Sequence, residues 1–301
     1  MKNILIVLLG PTGVGKTDVS IKTASHFGCE IISCDSRQFY REMRIGTAVP
    51  SDLQLNRIKH HFIRFLSVKD YYSANLFERD VYKLLPGLFS RNKMVLMSGG
   101  SGMYIDAVCS GIDDIPDIDP AIRAKYNKKH SEEGIGSLRM SLKLLDPEYY
   151  AKVDLRNYRR IIRALEICET TGLPYSSFLK KEKSIKEFHI IKIGFNRERN
   201  DLYERISKRV DEMVEQGLEE EARQLSGFRD LNALKSVGYR EFFDFFDGNI
   251  SRDKAVELIK RNSRRYAKRQ LTWWGKDKDI KWFHPDEVQD IIGYIEKEAR
   301  V

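Results

Sequence analysis

The sequence contains few cysteines and no long apolar run. Its four cysteines, Cys29, Cys34, Cys109 and Cys168, form no C-x-x-C pair. We therefore expect reduced core cysteines in a cytosolic protein and no structural zinc site. No stretch approaches the ~20 apolar residues of a membrane span. The apolar run 4–9 is also shorter than the roughly 7–15 residues of a signal-peptide core, so the sequence predicts a soluble cytoplasmic protein without a membrane partner.

Acidic residues are outnumbered by basic ones. The 301 residues include 52 Lys and Arg against 44 Asp and Glu, which gives a net charge of +8 and a pI near 9.1. Such a balance favours polyanionic partners only where the basic residues cluster. The length predicts about two domains, and the sequence shows no internal repeat or low-complexity tract.

One motif near the N-terminus combines glycines with a lysine and a threonine. Gly10, Gly15, Lys16 and Thr17 satisfy the G-x-x-x-x-G-K-[ST] spacing of a phosphate-binding loop, between an apolar run and a helix-compatible segment. Backbone N–H groups and the start of a helix bind phosphate oxygens there. Lys16 adds a point charge, and the Thr17 hydroxyl is suited to Mg²⁺ or to a bridging oxygen. The motif does not identify the phosphorylated molecule.

Short apolar runs alternate with helical patterns over residues 1–110. Runs at 4–9, 30–34 and 93–98 predict strands, and 75–89 predicts a helix. This is typical of a parallel sheet covered on both faces, with ligands beyond the carboxyl ends of its strands. Asp35 follows the second run, where it can act as a general base, ligate a metal or cap a helix. Glycines 99–102 follow the third run, where they allow close approach to a ligand or simply end the strand.

The composition changes at an acidic, proline-containing segment, 113–120, and again at a charged segment, 180–187. We predict a helical domain over 113–186, inserted into an α/β core of 1–112 and 187–301 that ends in a helical C-terminal region. A strand is expected at 189–195. Within the insert, Arg156, Arg159, Arg160 and Arg163 share one helical face, which favours a nucleic-acid backbone or an acidic substrate over a plain solvated face.

The most basic part of the chain is 260–270, followed by Trp273 and Trp274. Basic residues interleaved with aromatic ones suit phosphate contacts and base stacking, although the tryptophans can equally belong to the core. A phosphate-binding loop alone favours a small-molecule kinase. However, 95–97 lacks a following aspartate, and the basic surface exceeds what a metabolite kinase needs. A nucleotide-gated RNA-binding protein is the non-enzymatic alternative.

Several motifs occur together in a recognisable order. They are 10–17 (GPTGVGKT), 35–40 (DSRQFY), 45–48 (IGTA), 99–104 (GGSGMY), 160–174, 237–240 (VGYR) and 266–273 (YAKRQLTW). In these the chain resembles bacterial tRNA dimethylallyltransferases over nearly its whole length. The resemblance implies transfer of a dimethylallyl group from dimethylallyl diphosphate to N6 of adenosine 37, in tRNAs that read codons starting with U. An adenylate isopentenyltransferase is the alternative within the same chemistry, but a free nucleotide would need neither the long insert nor the basic helix.

The same resemblance implies roles for particular residues. The diphosphate would be bound by Gly10, Pro11, Thr12, Gly13, Val14, Gly15, Lys16 and Thr17, with Mg²⁺ on Thr17. Asp35 would accept the N6 proton, and Arg209 would reach the diphosphate, so that Asp35, Thr17, Lys16 and Arg209 form the catalytic set. Contacts to tRNA would come from Asp35, Ser36, Arg37, Gln38, Ser101, Arg123, Arg159, Arg160, Ile161, Ile162, Arg163, Val237, Gly238, Tyr239 and Arg240. We expect a monomer.

Overall fold

The computed structural model describes residues 2–112, 119–179 and 187–300. The chain divides into two compact units, a larger one formed by Met1–Cys109 with Ile185–Val301 and a smaller one formed by Ser110–Ser184. Most of the predicted acidic and charged boundary segments, at 113–118 and 180–186, lies outside the described residues.

Strands and helices alternate in the first part of the larger unit. The elements are β1 (Asn3–Leu9), α1 (Lys16–Phe27), β2 (Ile31–Ser33), α2 (Asp52–Arg57), β3 (His60–His61), α3 (Ala74–Arg91), β4 (Met94–Gly99) and α4 (Gly102–Ser110). The smaller unit contains α5 (Pro120–Leu145), α6 (Pro147–Tyr150), α7 (Tyr158–Thr171) and a 3-10 turn (Tyr175–Phe178). The chain continues with β5 (Phe188–Phe195), α8 (Arg199–Glu215), α9 (Leu218–Gln224), 3-10 turns at Ser226–Phe228 and Asn232–Leu234, α10 (Tyr239–Phe246), α11 (Arg252–Trp274), β6 (Ile280–Phe283) and α12 (Val288–Glu298).

The six strands form one parallel sheet in the order β3-β2-β4-β1-β5-β6. Strand β1 is central, and Ile4 pairs with Met94 on one side and with His189 on the other. Alternate residues of β1 enter two different hydrophobic clusters, one on each face of the sheet. The predicted fold class, a parallel sheet with flanking helices, is therefore confirmed. Because the strands are parallel, the loops after β1, β2 and β4 meet at one edge.

The segments with the strongest hydrophobic periodicity form a helix and a strand with nearly the predicted bounds. The helix expected at 75–89 is α3, and the strand expected at 189–195 is β5. Strands β3 and β6 were not predicted, since a two-residue and a four-residue segment carry too little pattern. All four cysteines are buried and free, as expected of core thiols.

The smaller unit is built on α5 and α7. Helix α5 bends at Gly134, whose φ of 76° lies in the left-handed region. Ile161 and Ile162 of α7 are buried in the core of this unit. Asn157 caps α7 and accepts a hydrogen bond from the Arg160 backbone N–H. Helix α7 therefore begins at Tyr158, and the predicted four-arginine face is wrong in one member, because Arg156 precedes the helix.

Candidate active site

The loop between β1 and α1 has the backbone that its glycines permit. Gly13 and Gly15 have φ of 81° and 105°, which side chains other than glycine rarely adopt. A Cβ atom at Gly13 would lie 2.7 Å from Ile206 Cγ1, so this position also has no room for a side chain. Gly15 caps α1 without any side-chain hydrogen bond. The first-turn amides of α1 therefore face the loop without a competing side-chain acceptor, as an anion site requires.

Lys16 is folded back on the loop. Its Nζ donates to the carbonyl oxygens of Gly10 and Pro11, both at 2.8 Å. Burial, followed by the charge of Arg209, lowers the pKa of Lys16 to about 8, while the charge of Asp35 acts in the opposite direction. Lys16, Asp35 and Arg209 are therefore close enough to interact electrostatically.

Three arginines contact the same loop from the segment after β5. Arg209 Nη1 lies 3.5 Å from Thr12 Oγ1, Arg205 Nε donates to the Gly13 carbonyl at 3.2 Å, and Arg197 Nε donates to the Val14 carbonyl at 3.0 Å. Burial lowers the pKa of Arg209, and the charge of Asp35 partly opposes this shift. Arg209 was predicted at the diphosphate. Arg197 and Arg205 were missed, although Arg205 stands one helical turn before Arg209.

Asp35 lies just beyond the carboxyl end of β2. Its Oδ1 accepts a hydrogen bond from the Arg37 backbone N–H at 3.0 Å. Residues 36–39 form turns, so the alternative in which Asp35 caps an α-helix is wrong. This hydrogen bond orients the carboxylate, and the role of Asp35 as a general base stays a prediction.

Ser101 links three segments around this edge of the sheet. Its Oγ accepts from the Ser36 backbone N–H at 2.9 Å and donates to Ser36 Oγ at 3.1 Å. Tyr266 of α11 lies close to both Ser101 and Asp35. Tyr266 is 37% exposed, and partial desolvation, with a contribution from the charge of Asp35, raises its pKa to about 12. Its phenol therefore lies near the Asp35 carboxylate.

Gln270 of α11 was missed by sequence reasoning. It is 6% exposed, and its Oε1 accepts from the Thr12 backbone N–H at 2.9 Å. Its Nε2 donates to the Gly100 carbonyl at 2.8 Å, and a Cβ atom at Gly100 would lie 2.6 Å from that nitrogen. Gly99 and Gly102 are approached closely by Cys34 and Trp273, and the predicted close approach of 99–102 to a ligand stays a prediction. The signal that could have identified Gln270 is an uncharged amide at the end of the basic run 260–270.

The two adjacent tryptophans have different environments. Trp274 is buried in the core. Trp273 is 50% exposed, and its Nε1 donates to Asp106 Oδ2 at 2.9 Å. Only Trp273 therefore has a ring face available for stacking on a base.

Several predicted tRNA-binding residues of the larger unit are engaged within the protein. Gln38 Nε2 donates to the carbonyls of Thr47 and Ala48 at 3.1 and 3.0 Å. Tyr239 is fully buried, so its side chain is not available to tRNA in this structure, and a contact through its backbone stays a prediction. Val237 is half-buried, and Gly238 donates its backbone N–H to Glu241. In this turn the side chain of Arg240 is exposed.

The predicted tRNA contacts of the smaller unit fall into three groups. The side chains of Ile161 and Ile162 are buried, so any contact of these residues with RNA would come from their backbone, and both contacts stay predictions. Arg123 Nη2 donates to Glu166 Oε2 at 2.9 Å, and Arg163 lies 3.6 Å from the same carboxylate. Arg159 and Arg160 are exposed on α7.

No set of three or more His, Cys, Asp or Glu side chains that could hold a metal ion occurs within 2–112, 119–179 and 187–300. Over the same ranges, no helix has the length and apolar character needed to cross a membrane.

A strand–loop–helix with these glycines, Lys16 and Thr17, on a parallel sheet, defines a P-loop protein. The comparisons narrow this class. A family model described as IPP transferase matches residues 38–277. The chain is 54% identical to tRNA dimethylallyltransferase 2 of Porphyromonas gingivalis, over 94% of each chain. It is 50% identical to tRNA dimethylallyltransferase 1 of Bacteroides fragilis, over 97% of each.

A solved structure extends the agreement to three dimensions. The crystal structure of the full-length tRNA isopentenylpyrophosphate transferase from Bacillus halodurans aligns with a TM-score of 0.71 at 36% identity, over 98% of this chain and 96% of that one. The chain belongs to the IPP transferase family, the tRNA dimethylallyltransferases.

Proposed function

We propose that this protein transfers the dimethylallyl group of dimethylallyl diphosphate to N6 of adenosine 37 in tRNAs that read codons starting with U. The observation that carries the proposal is the grouping of cations and one carboxylate at a single edge of the sheet. Lys16 and Arg209 interact electrostatically with Asp35 there. Cations suit a diphosphate leaving group, and the carboxylate suits the proton that N6 must lose.

The reaction makes one bond and breaks one bond. The N6 lone pair attacks the allylic carbon, and the electron pair of the C–O bond leaves with the diphosphate. Lys16, Arg209 and the first-turn amides of α1 stabilise the charge that develops on the leaving oxygen. Asp35 accepts the proton released from N6, which restores the neutral amine.

Mg²⁺ fits a site at which the protein supplies few ligands. It usually keeps several waters and binds through one or two protein oxygens together with substrate phosphates. The Thr17 hydroxyl would hold it beside the diphosphate, where the ion neutralises negative charge.

A kinase is disfavoured by the end of β4. An ATP-dependent enzyme of this class would place a magnesium-binding aspartate there. Ser98 instead contacts Ser20 Oγ at 2.6 Å, and Gly99 and Gly100 follow. The arginines of the smaller unit add support for a nucleic-acid substrate, since exposed Arg159 and Arg160 suit phosphate contacts. We further propose that the enzyme acts as a cytoplasmic monomer.

The test is transfer of label. Protein, Mg²⁺, labelled dimethylallyl diphosphate and unmodified tRNA are incubated, and the RNA is analysed for labelled adenosine 37. We expect label with the wild type and a kcat about 10²–10⁴-fold lower for Asp35→Asn, with affinity for tRNA nearly unchanged. Asp18→Asn, at an exposed carboxylate of α1, is the matched control. Absence of label combined with ATP-dependent phosphorylation of a metabolite would refute the proposal.

A further inference from the structure

Glu221 of α9 receives four hydrogen bonds from the larger unit. Its Oε2 accepts from the backbone N–H groups of Arg44 and Ile45, both at 2.8 Å. Its Oε1 accepts from the Gly46 N–H at 2.9 Å and from the Tyr239 hydroxyl at 2.7 Å. Three consecutive backbone amides that converge on one acceptor form an anion-binding nest. Here the anion is a side chain of the protein itself.

The segment held in this way, residues 44–48, has little freedom to move. A Cβ atom at Gly46 would lie 2.6 Å from the Tyr239 hydroxyl oxygen, so only glycine fits between the segment and α10. Ala48 has a φ of 47°, which is uncommon for a residue with a side chain. The Ala48 N–H donates to the Ile45 carbonyl at 2.9 Å and closes the turn. The surrounding contacts therefore maintain a strained backbone.

The carbonyl groups of this segment lead to Asp35. Thr47 and Ala48 accept both hydrogens of the Gln38 amide, at 3.1 and 3.0 Å. The Gln38 backbone N–H in turn donates to the Asp35 carbonyl at 3.1 Å. A continuous series of hydrogen bonds thus runs from Glu221 through residues 44–48 and Gln38 to the turn that carries Asp35.

We propose that Glu221 is a positioning residue for Asp35, acting through residues 44–48 and Gln38. This inference rests on the proposed function, because it assigns Glu221 to the placement of the base in that reaction. Both carboxylate oxygens of Glu221 accept from protein donors, so we assign it no contact with either substrate. Its carboxylate fixes the nest, the nest fixes the two carbonyls, and these fix the orientation of Gln38 and of the Asp35 turn.

The principal variant is Glu221→Gln. An amide NH₂ cannot accept a hydrogen bond, so this change places a donor against backbone donors and opens the nest. We expect kcat to fall about 10–100-fold, while the Kd for inorganic diphosphate stays within about threefold, because the P-loop is untouched. Glu220→Gln is the matched control, because this neighbouring carboxylate of α9 is exposed and pairs with Arg223. Its kcat should stay within about threefold of wild type.

A double-mutant cycle separates positioning from general destabilisation. In a Gln38→Ala background the series is already broken, so adding Glu221→Gln should lower kcat by less than about threefold. Multiplicative losses in the cycle would overturn the inference. Gly46→Ala also displaces residues 44–48, so it should show the same loss of kcat. It provides the test if Glu221→Gln does not fold. An unchanged kcat in a folded Gly46→Ala variant would also overturn the inference.

Amide hydrogen exchange provides a readout independent of catalysis. Glu221→Gln should accelerate exchange at Arg44, Ile45 and Gly46 and also at Arg37 and Gln38, whose amides hydrogen-bond Asp35. Acceleration confined to 44–46 would refute the connection to Asp35. Wild-type protein that transfers no dimethylallyl group to tRNA would instead refute the proposed function, and the exchange data would still test the connection.

Discussion

Binding of diphosphate should be coupled to uptake of a proton by Lys16. Burial and the neighbouring Arg209 hold the pKa of this lysine at about 8 in the unliganded protein. A diphosphate beside Lys16 adds negative charge, which favours the protonated ammonium. With a rise of about two units on binding, Lys16 at about pH 9 passes from roughly one-tenth to roughly nine-tenths protonated. Each diphosphate bound should then take up about 0.8 proton.

Isothermal titration calorimetry measures this uptake directly. Inorganic diphosphate is titrated at about pH 9 in two buffers with different ionisation enthalpies, and the difference in observed enthalpy gives the number of protons. Lys16→Arg is the matched control, because its guanidinium stays charged at this pH. Protonation of diphosphate itself contributes equally to both proteins. Equal proton uptake by wild type and Lys16→Arg at about pH 9 would refute the reasoning, while at about pH 6.5 both should agree.

The same lysine should also make the stability of the unliganded protein depend on pH. The pKa of Lys16 in the folded state, about 8, lies below the ordinary value of 10.5 that it regains on unfolding. Between these values the unfolded chain binds more protons, so the free energy of unfolding should rise with pH through this window. Urea denaturation at several pH values tests this, and Lys16→Met should remove the rise.

Three further outcomes follow from buried contacts and exposed charge. Gln270→Glu loses the donor to the Gly100 carbonyl and brings negative charge beside the P-loop, so we expect about 1–3 kcal/mol lower stability in urea and at least about tenfold weaker diphosphate binding. Glu166 is fully buried, and Glu166→Gln should destabilise the smaller unit by about 1–3 kcal/mol, because Arg123 and Arg163 lose their shared carboxylate; limited proteolysis would locate faster cleavage within 119–179. Unchanged cleavage would contradict this expectation. Arg160→Ala should weaken tRNA binding and reduce the salt slope by about one, while Arg156→Ala, which lies outside α7 and pairs with Asp154, should change the slope less.

The parts of the site that could be predicted from the sequence are those that depend on residues close together in the chain. The P-loop is a contiguous motif between a strand and a helix, and its backbone follows from its own glycines. Asp35 is informative because it follows a strand directly, and parallel strands bring such positions to one edge of a sheet. Arg209 was assigned by the resemblance, and one helical turn separates it from Arg205.

The missed contacts join residues that are distant along the chain. Gln270 reaches Thr12 across 258 positions, and Glu221 reaches Gly46 across 175. The periodicity of a helix or strand pattern carries no information about contacts between residues so far apart in the sequence. Membership of a motif also does not indicate burial. Tyr239 and Ile161 lie in motifs of the resemblance, yet their side chains belong to the core because each occupies the apolar face of its helix.

The arrangement of cations around the P-loop bears on why the bond to the leaving group would break there. Arg205 and Arg197 are held on loop carbonyls, so their charges are fixed before substrate arrives. Lys16 and Arg209 repel each other, and this repulsion contributes to the low pKa of Lys16. Added negative charge relieves that repulsion. A diphosphate ester gains negative charge as its C–O bond breaks, so the relief is greater in the transition state than in the bound ester. Under the proposed function, a cluster of mutually repelling, preorganised cations would therefore stabilise the departing diphosphate more than the substrate, which is the condition for accelerating the chemical step.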